Sequence, residues 1–233
     1  MRINEVMIHN YRSIRSLRFS CQPLMLMLGP NNHGKSNILR AFEFALSTSA
    51  KPTAEDFFYF RGDDSELWVE LTFNALTEQE KTTFKRYLRA DGSIRLRKSA
   101  RLSDTGNVEL SYNGYFQQPQ EWWLRADKVT TLTKREEVAN TPLGQMVSES
   151  GRLTKAQIEK AQNRYIEQKR NELSFDEVLE TGAFLGQKNI GGGMLPDFYL
   201  IPAVRDLADQ TKIKTTTTFG RLLNRAITKS DSS

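Results

Sequence analysis

An α/β fold is what this sequence predicts, with a mixed sheet at its centre, an antiparallel β flank and a helical insertion. Three observations carry that expectation. The apolar run at 24–28 leads through a glycine-framed turn into 37–46, where apolar residues at 38, 39, 42, 45 and 46 follow a helical stripe. Segments 2–20 and 66–113 carry the apolar–polar alternation of half-buried strands. Thr154-Lys-Ala-Gln157 and Ser174-Phe-Asp-Glu177 have capping-box spacing, a start signal for helices.

The turn after the apolar run reads Gly29-Pro30-Asn31-Asn32-His33-Gly34-Lys35-Ser36, the G-x-x-x-x-G-K-S pattern of a phosphate-binding loop. Strand before and helix after are the context that pattern requires. Gly29 and Gly34 reach backbone angles closed to other residues, so successive N–H groups turn inward around a phosphate. The helix N-terminus adds partial positive charge. Lys35 reaches the β- and γ-phosphates, and the Ser36 hydroxyl ligates Mg²⁺. The expected ligands are ATP and Mg²⁺. The expected binding residues are Gly29, Asn31, Asn32, His33, Gly34, Lys35, Ser36 and Asn37, in a fold of the P-loop NTPase class.

Composition narrows the partners. At 233 residues the chain makes one large domain or two small ones. No apolar run approaches a membrane span and no signal peptide opens the chain, so no membrane partner is expected. The single Cys21 excludes an intramolecular disulfide framework and fits the reducing cytoplasm, as a packed thiol. His9 and His33 stand far from cysteine or paired carboxylates, which argues against zinc. A net charge of +5 permits a nucleic-acid partner without requiring one.

In chain order, 2–8 and 14–20 read as strands around a turn at 9–13. Residues 54–60 followed by Arg61-Gly62-Asp63-Asp64 imitate an apolar strand ending in acids. The Arg-Gly interruption makes Asp63 and Asp64 turn residues instead. Leu67, Val69, Leu71 and Phe73 share one face of a strand, and Thr77-Glu-Gln-Glu80 opens a helix to about Leu88. Residues 81–101 hold Lys81, Lys85, Arg86, Arg89, Arg95, Arg97, Lys98 and Arg101 against the lone acid Asp91. Ile94, Leu96, Ala100 and Leu102 share one face there, and Arg95, Arg97, Ser99 and Arg101 the other.

Pairing like faces with 108–113 requires an odd loop. Asp104-Thr105-Gly106 supplies it, with glycine at the left-handed position, Arg101 opposite Glu109 and Arg97 opposite Asn113. The arginine face is either solvated or a contact for DNA phosphates through Arg95, Arg97 and Arg101. Trp122 and Trp123 read as hydrophobic anchors, 127–150 shows no period, and Thr154 opens a helix to about Glu172 with Ile158, Ala161 and Tyr165 inward. Ser174 caps a third helix ending near Gly182. Gly191–193 is a linker, 198–201 a short buried strand, and Thr215–218 caps a last helix.

Ile8-His-Asn10-Tyr11-Arg12-Ser13, followed by Gly-Pro-Asn-Asn-x-Gly-Lys-Ser, resembles the N-terminus of the ABC-type ATPase heads of SMC, RecF and OLD (overcoming lysogenization defect) proteins. The resemblance implies a nucleotide-side position for Asn10 and Arg12; the alternative for Arg12 is an ordinary solvated turn residue. Tyr-Leu-Ile-Pro-Ala-Val-Arg205-Asp206 resembles the segment after the first lobe of OLD-type ATPases, which makes Arg205 and Asp206 site candidates or a structural pair. The expected layout is a P-loop core at 1–60, a β flank at 64–126, a helical insertion at about 150–185 and a return to the core at 195–206.

No Asp-Glu strand, signature loop or Toprim acid cluster occurs, and Asn189-Ile-Gly-Gly-Gly193 lacks the signature serine, so no catalytic residue is assigned. The resemblance implies the N-terminal part of an OLD-like ATP-dependent endonuclease acting on DNA in phage defence or repair. Its partners would be a second head in a head-to-head homodimer and a Toprim nuclease domain or subunit. This segment alone would bind ATP without turnover. An SMC/RecF-type repair head and a non-hydrolysing regulator are the alternatives.

Overall fold

The structure, a computed structural model, describes residues 1–31, 33–47, 50–57, 66–146, 154–186 and 194–201. The strands are β1 (Arg2–Tyr11), β2 (Ile14–Ser20), β3 (Glu66–Asn74), β4 (Ile94–Leu102), β5 (Val108–Pro119) and β6 (Phe175–Leu179). They form one six-stranded sheet in the order β2-β1-β3-β4-β5-β6, every pairing antiparallel. The antiparallel flank is therefore as expected, while the mixed sheet is not found among the described residues.

Alternation decides which face is the core. Val6 and Ile8 of β1, Leu67, Val69, Leu71 and Phe73 of β3, and Ile94, Leu96 and Ala100 of β4 are all buried on one side. Helix α1 (Lys35–Leu46) lies across them and buries Ala41, Phe42, Phe44 and Ala45. Its buried stripe is turned from the expected one, leaving Leu39 outward. Each fully buried large side chain contributes about 1.5–3 kcal/mol, so this layer fixes α1 against the sheet. The β4–β5 register is the one parity requires: Arg101 pairs with Glu109 and Arg97 with Asn113. Gly106 takes φ 80° and donates to the Ser103 carbonyl at 2.9 Å.

Parity also sends Lys98 into the core face, where only 6% of the residue is exposed. Its ammonium donates to the carbonyls of Phe44 (2.8 Å), Ser47 (2.7 Å) and Ala50 (3.4 Å) at the C-terminal end of α1. A cation there meets the negative end of the helix dipole and the carbonyls that lack intrahelical donors. Burial nevertheless pushes its pKa down to about 8. The unfolded chain then holds more protons than the folded one from about pH 8 up to the ordinary lysine value, so stability rises with pH across that window. Relative to Lys98→Met, the native chain should gain on the order of 2 kcal/mol between about pH 8 and about pH 9.5 in urea titrations. Parallel pH curves for the two proteins would contradict this.

A second hydrophobic core forms over residues 123–173. Helices α2 (Glu78–Thr83), α3 (Leu132–Val138) and α4 (Lys155–Lys169) are the other α-helices among the described residues, and the last two enclose Leu124, Val129, Val138, Leu143, Ile158 and Ala161. The capping boxes at Thr77 and Thr154 are both formed. Trp123 packs edge-on against Tyr165 at 5.1 Å, whereas Trp122 sits at the surface under Lys134.

Several expectations fail. The stretch 174–182 holds strand β6 at Phe175–Leu179 rather than a helix, because the Tyr115–Pro119 edge of β5 offers a partner and Glu177 gains Arg89 and Arg95. The first turn is only Arg12 and Ser13, α2 gives way to a 3-10 turn at Lys85–Tyr87, and the unperiodic 127–150 stretch contains α3. Residues 24–28 and 198–201 form no strand. Leu24, Leu26 and Leu28 are 90%, 81% and 83% exposed, so the run that reads as a buried strand lies uncovered by any described residue. Asp63, Asp64, Gly191–193 and Thr215–218 lie outside the described residues.

Candidate functional site: the loop at the head of α1

Gly34 caps α1 at φ 82°, a left-handed conformation that favours glycine, and a Cβ there would come within 3.1 Å of Ser13 Oγ. Both constraints let the β1–β2 turn dock on the first turn of α1, where Asn37 Nδ2 donates to Ser13 Oγ at 2.8 Å. The helix then starts at Lys35; the Asn37 and Ile38 amides donate to the Gly34 carbonyl at 2.9 and 3.2 Å, and those of Lys35 and Ser36 precede the helix's own hydrogen-bond ladder. Lys35 Nζ crosses the loop and donates to the Gly29 and Pro30 carbonyls, both at 2.6 Å. Ser36 is exposed beside it. Asn31 accepts at its carbonyl from, or lies against, His33 Nδ1 at 3.0 Å, and Asn32 lies outside the described residues. The ammonium, the Ser36 hydroxyl and the amides at the head of α1 are a candidate set for phosphate with a hard cation.

The β1–β2 turn forms the neighbouring wall. Asn10 is buried at φ 56°, and its Nδ2 donates to the Glu66 carbonyl at 2.7 Å, so its amide holds β1 to the start of β3. Arg12, at φ 51°, donates from its backbone N–H to the Asp56 carbonyl (2.6 Å) and from Nε to Asp56 Oδ1 (2.7 Å). Behind them Tyr11, Arg12, Arg40, Phe44, Lys51 and Asp56 help line a cavity of about 130 Å³. Burial, then the Asp56 carboxylate, raises the Tyr11 phenol above its ordinary value. Asp56 and Lys51 were not among the expected site residues. The Thr53-x-x-Asp56 spacing, a capping box in the structure, was the available signal.

The arginine face is not an open cationic surface. Glu70, 2% exposed, accepts from Arg95, from Arg97 Nε at 2.7 Å and from the Tyr115 hydroxyl. Arg95 also reaches Glu177 at 3.0 Å. Burial would raise the Glu177 carboxyl, but Arg89 and Arg95 hold it below the ordinary range. Arg101 is the exposed member, 3.9 Å from Glu66. Arg205 and Asp206 lie outside the described residues.

A family model described as AAA ATPase domain matches residues 1–232, and the chain belongs to that family. No curated protein matches the chain. No helix among the described residues is long and apolar enough to cross a membrane.

Proposed function

We propose that this AAA ATPase-family chain binds ATP with Mg²⁺ on the loop at 29–36, as the head of a DNA-acting, OLD-like ATPase–nuclease. The observation that carries the nucleotide reading is the position of Lys35, whose ammonium spans the loop 2.6 Å from the Gly29 and Pro30 carbonyls. A β- or γ-phosphate oxygen is a stronger acceptor than either carbonyl and takes the ammonium over in the complex. The amides at the head of α1 would bind the same phosphates, and the exposed Ser36 hydroxyl would hold Mg²⁺, which would supply charge neutralisation there. Gly29, Asn31, Asn32, His33, Gly34 and Asn37 shape the loop, and Arg12, with Asn10 supporting the turn, stands at its side.

The OLD-like part rests on the resemblance at 8–36. It implies DNA as substrate, a head-to-head dimer, a Toprim nuclease domain or subunit, and a role in phage defence or repair. For DNA phosphates, Arg101 is the available contact on the hairpin face, since Arg95 and Arg97 are engaged by Glu70.

Because the grip is on the outer phosphates, calorimetric titration with Mg²⁺ present should give AMP an affinity at least about a hundredfold weaker than ATP, about 2.7 kcal/mol. Equal affinities for the two would overturn the reading.

A further inference from the structure

We infer that Asp56 is a positioning residue for the nucleotide site: it holds Arg12 in a left-handed turn conformation that aims the guanidinium at nucleotide bound on the loop. The inference rests on the reading that the loop binds ATP. It starts from the backbone. A two-residue hairpin turn needing a positive φ selects glycine or asparagine, because a Cβ is strained there. Asn10, still within β1, has a residue type that a positive φ favours (56°), whereas position 12, in the turn itself, carries arginine at φ 51°. Turn geometry alone gives no reason for an arginine, so the side chain is the reason it stands there.

Asp56 is built to hold that conformation. Its carbonyl accepts the Arg12 amide at 2.6 Å and its Oδ1 accepts Nε at 2.7 Å, fixing the backbone and the root of the fork together. Its other oxygen accepts from the Thr53 amide at 2.8 Å and the Thr53 hydroxyl at 3.3 Å, and the residue is 8% exposed. A bridge between Tyr11 and Phe57 ties the same segment to β1. One side of the turn is thus pinned by Asp56 and the other by the Ser13–Asn37 bond to α1. Beyond the Nε bond and its contact with the Tyr11 side chain, Arg12 keeps terminal NH donors for a ligand, on a side chain 34% exposed. A fork with its root fixed loses less freedom when it meets a phosphate or ribose oxygen.

The test is a double-mutant cycle on ATP affinity in the full chain, with Lys35→Ala as reference. Asp56→Asn keeps the side-chain size and an acceptor for Thr53 but removes the charge from Arg12. It should weaken Mg-ATP binding about tenfold, as Arg12→Ala does, and Asp56→Asn in the Arg12→Ala background should lose nothing further. A purely structural Asp56 would cost the same in both backgrounds, which overturns the inference. So would native or tighter binding by Asp56→Asn. If Asp56→Asn does not fold, Arg12→Lys, which leaves Asp56 and Thr53 untouched, should lose as much as Arg12→Ala, and full affinity there overturns it. Failure of these arms while Lys35→Ala abolishes binding removes the inference alone. Absence of ATP binding by the native chain removes both readings.

Discussion

Glu70→Ala should lower the free energy of unfolding by about 3–5 kcal/mol, the usual cost of removing one partner from a buried charge cluster. Arg95, Arg97 and the Tyr115 hydroxyl all converge on the two oxygens of Glu70. Arg97 also stacks over Trp68 at 4.3 Å and Arg95 over Tyr115 at 4.5 Å, so both guanidinia are fixed in place and cannot swing into water without losing those rings. Arg95 would retain Glu177, but Arg97 would keep no carboxylate among the described residues. The Tyr115 phenol is held up at about 12, by burial and then by Glu70, so it stays protonated and loses its acceptor as well. Glu70→Gln preserves shape and one acceptor oxygen and should fall between. Urea unfolding of the three proteins checks the order. A loss below about 1 kcal/mol in Glu70→Ala would mean that the cluster is an ordinary solvated face.

That cluster marks how far the sequence carried. Parity of apolar and charged residues was enough to pair Arg101 with Glu109 and Arg97 with Asn113, and to place glycine at the left-handed position of the turn. It could not tell that Glu70, from another strand, neutralises the arginines, because register across β3 and β4 depends on a connection of irregular structure. Lys98 was legible as a core-face residue by the same parity. Its acceptors at Phe44, Ser47 and Ala50 were not, being set by how α1 crosses the sheet. Ser174-Phe-Asp-Glu177 illustrates a local signal overruled by a tertiary one, since the open edge of β5 draws Phe175–Leu179 into a strand. At the site, the loop was readable because its geometry is encoded in contiguous residues. Asp56 was not, because its role is defined by Arg12, and only the fold brings the two together.

The most direct test of the phosphate grip is Mg-ATP titration of the native chain against Lys35→Ala. Lys35 is the one side chain whose charge lies across the loop, bonded to the carbonyls of Gly29 and Pro30 rather than to any carboxylate. Its removal leaves the amides of α1 and the Gly34 turn intact, since neither depends on the ammonium. Fold and melting behaviour should therefore be unchanged, while the outer phosphates lose a charge-assisted partner in a desolvated contact worth about 2–5 kcal/mol. By isothermal calorimetry the account predicts an affinity thirty-fold or more weaker, on the order of complete loss at ordinary titrant concentrations. Equal Mg-ATP affinity in the native and Lys35→Ala proteins would contradict it.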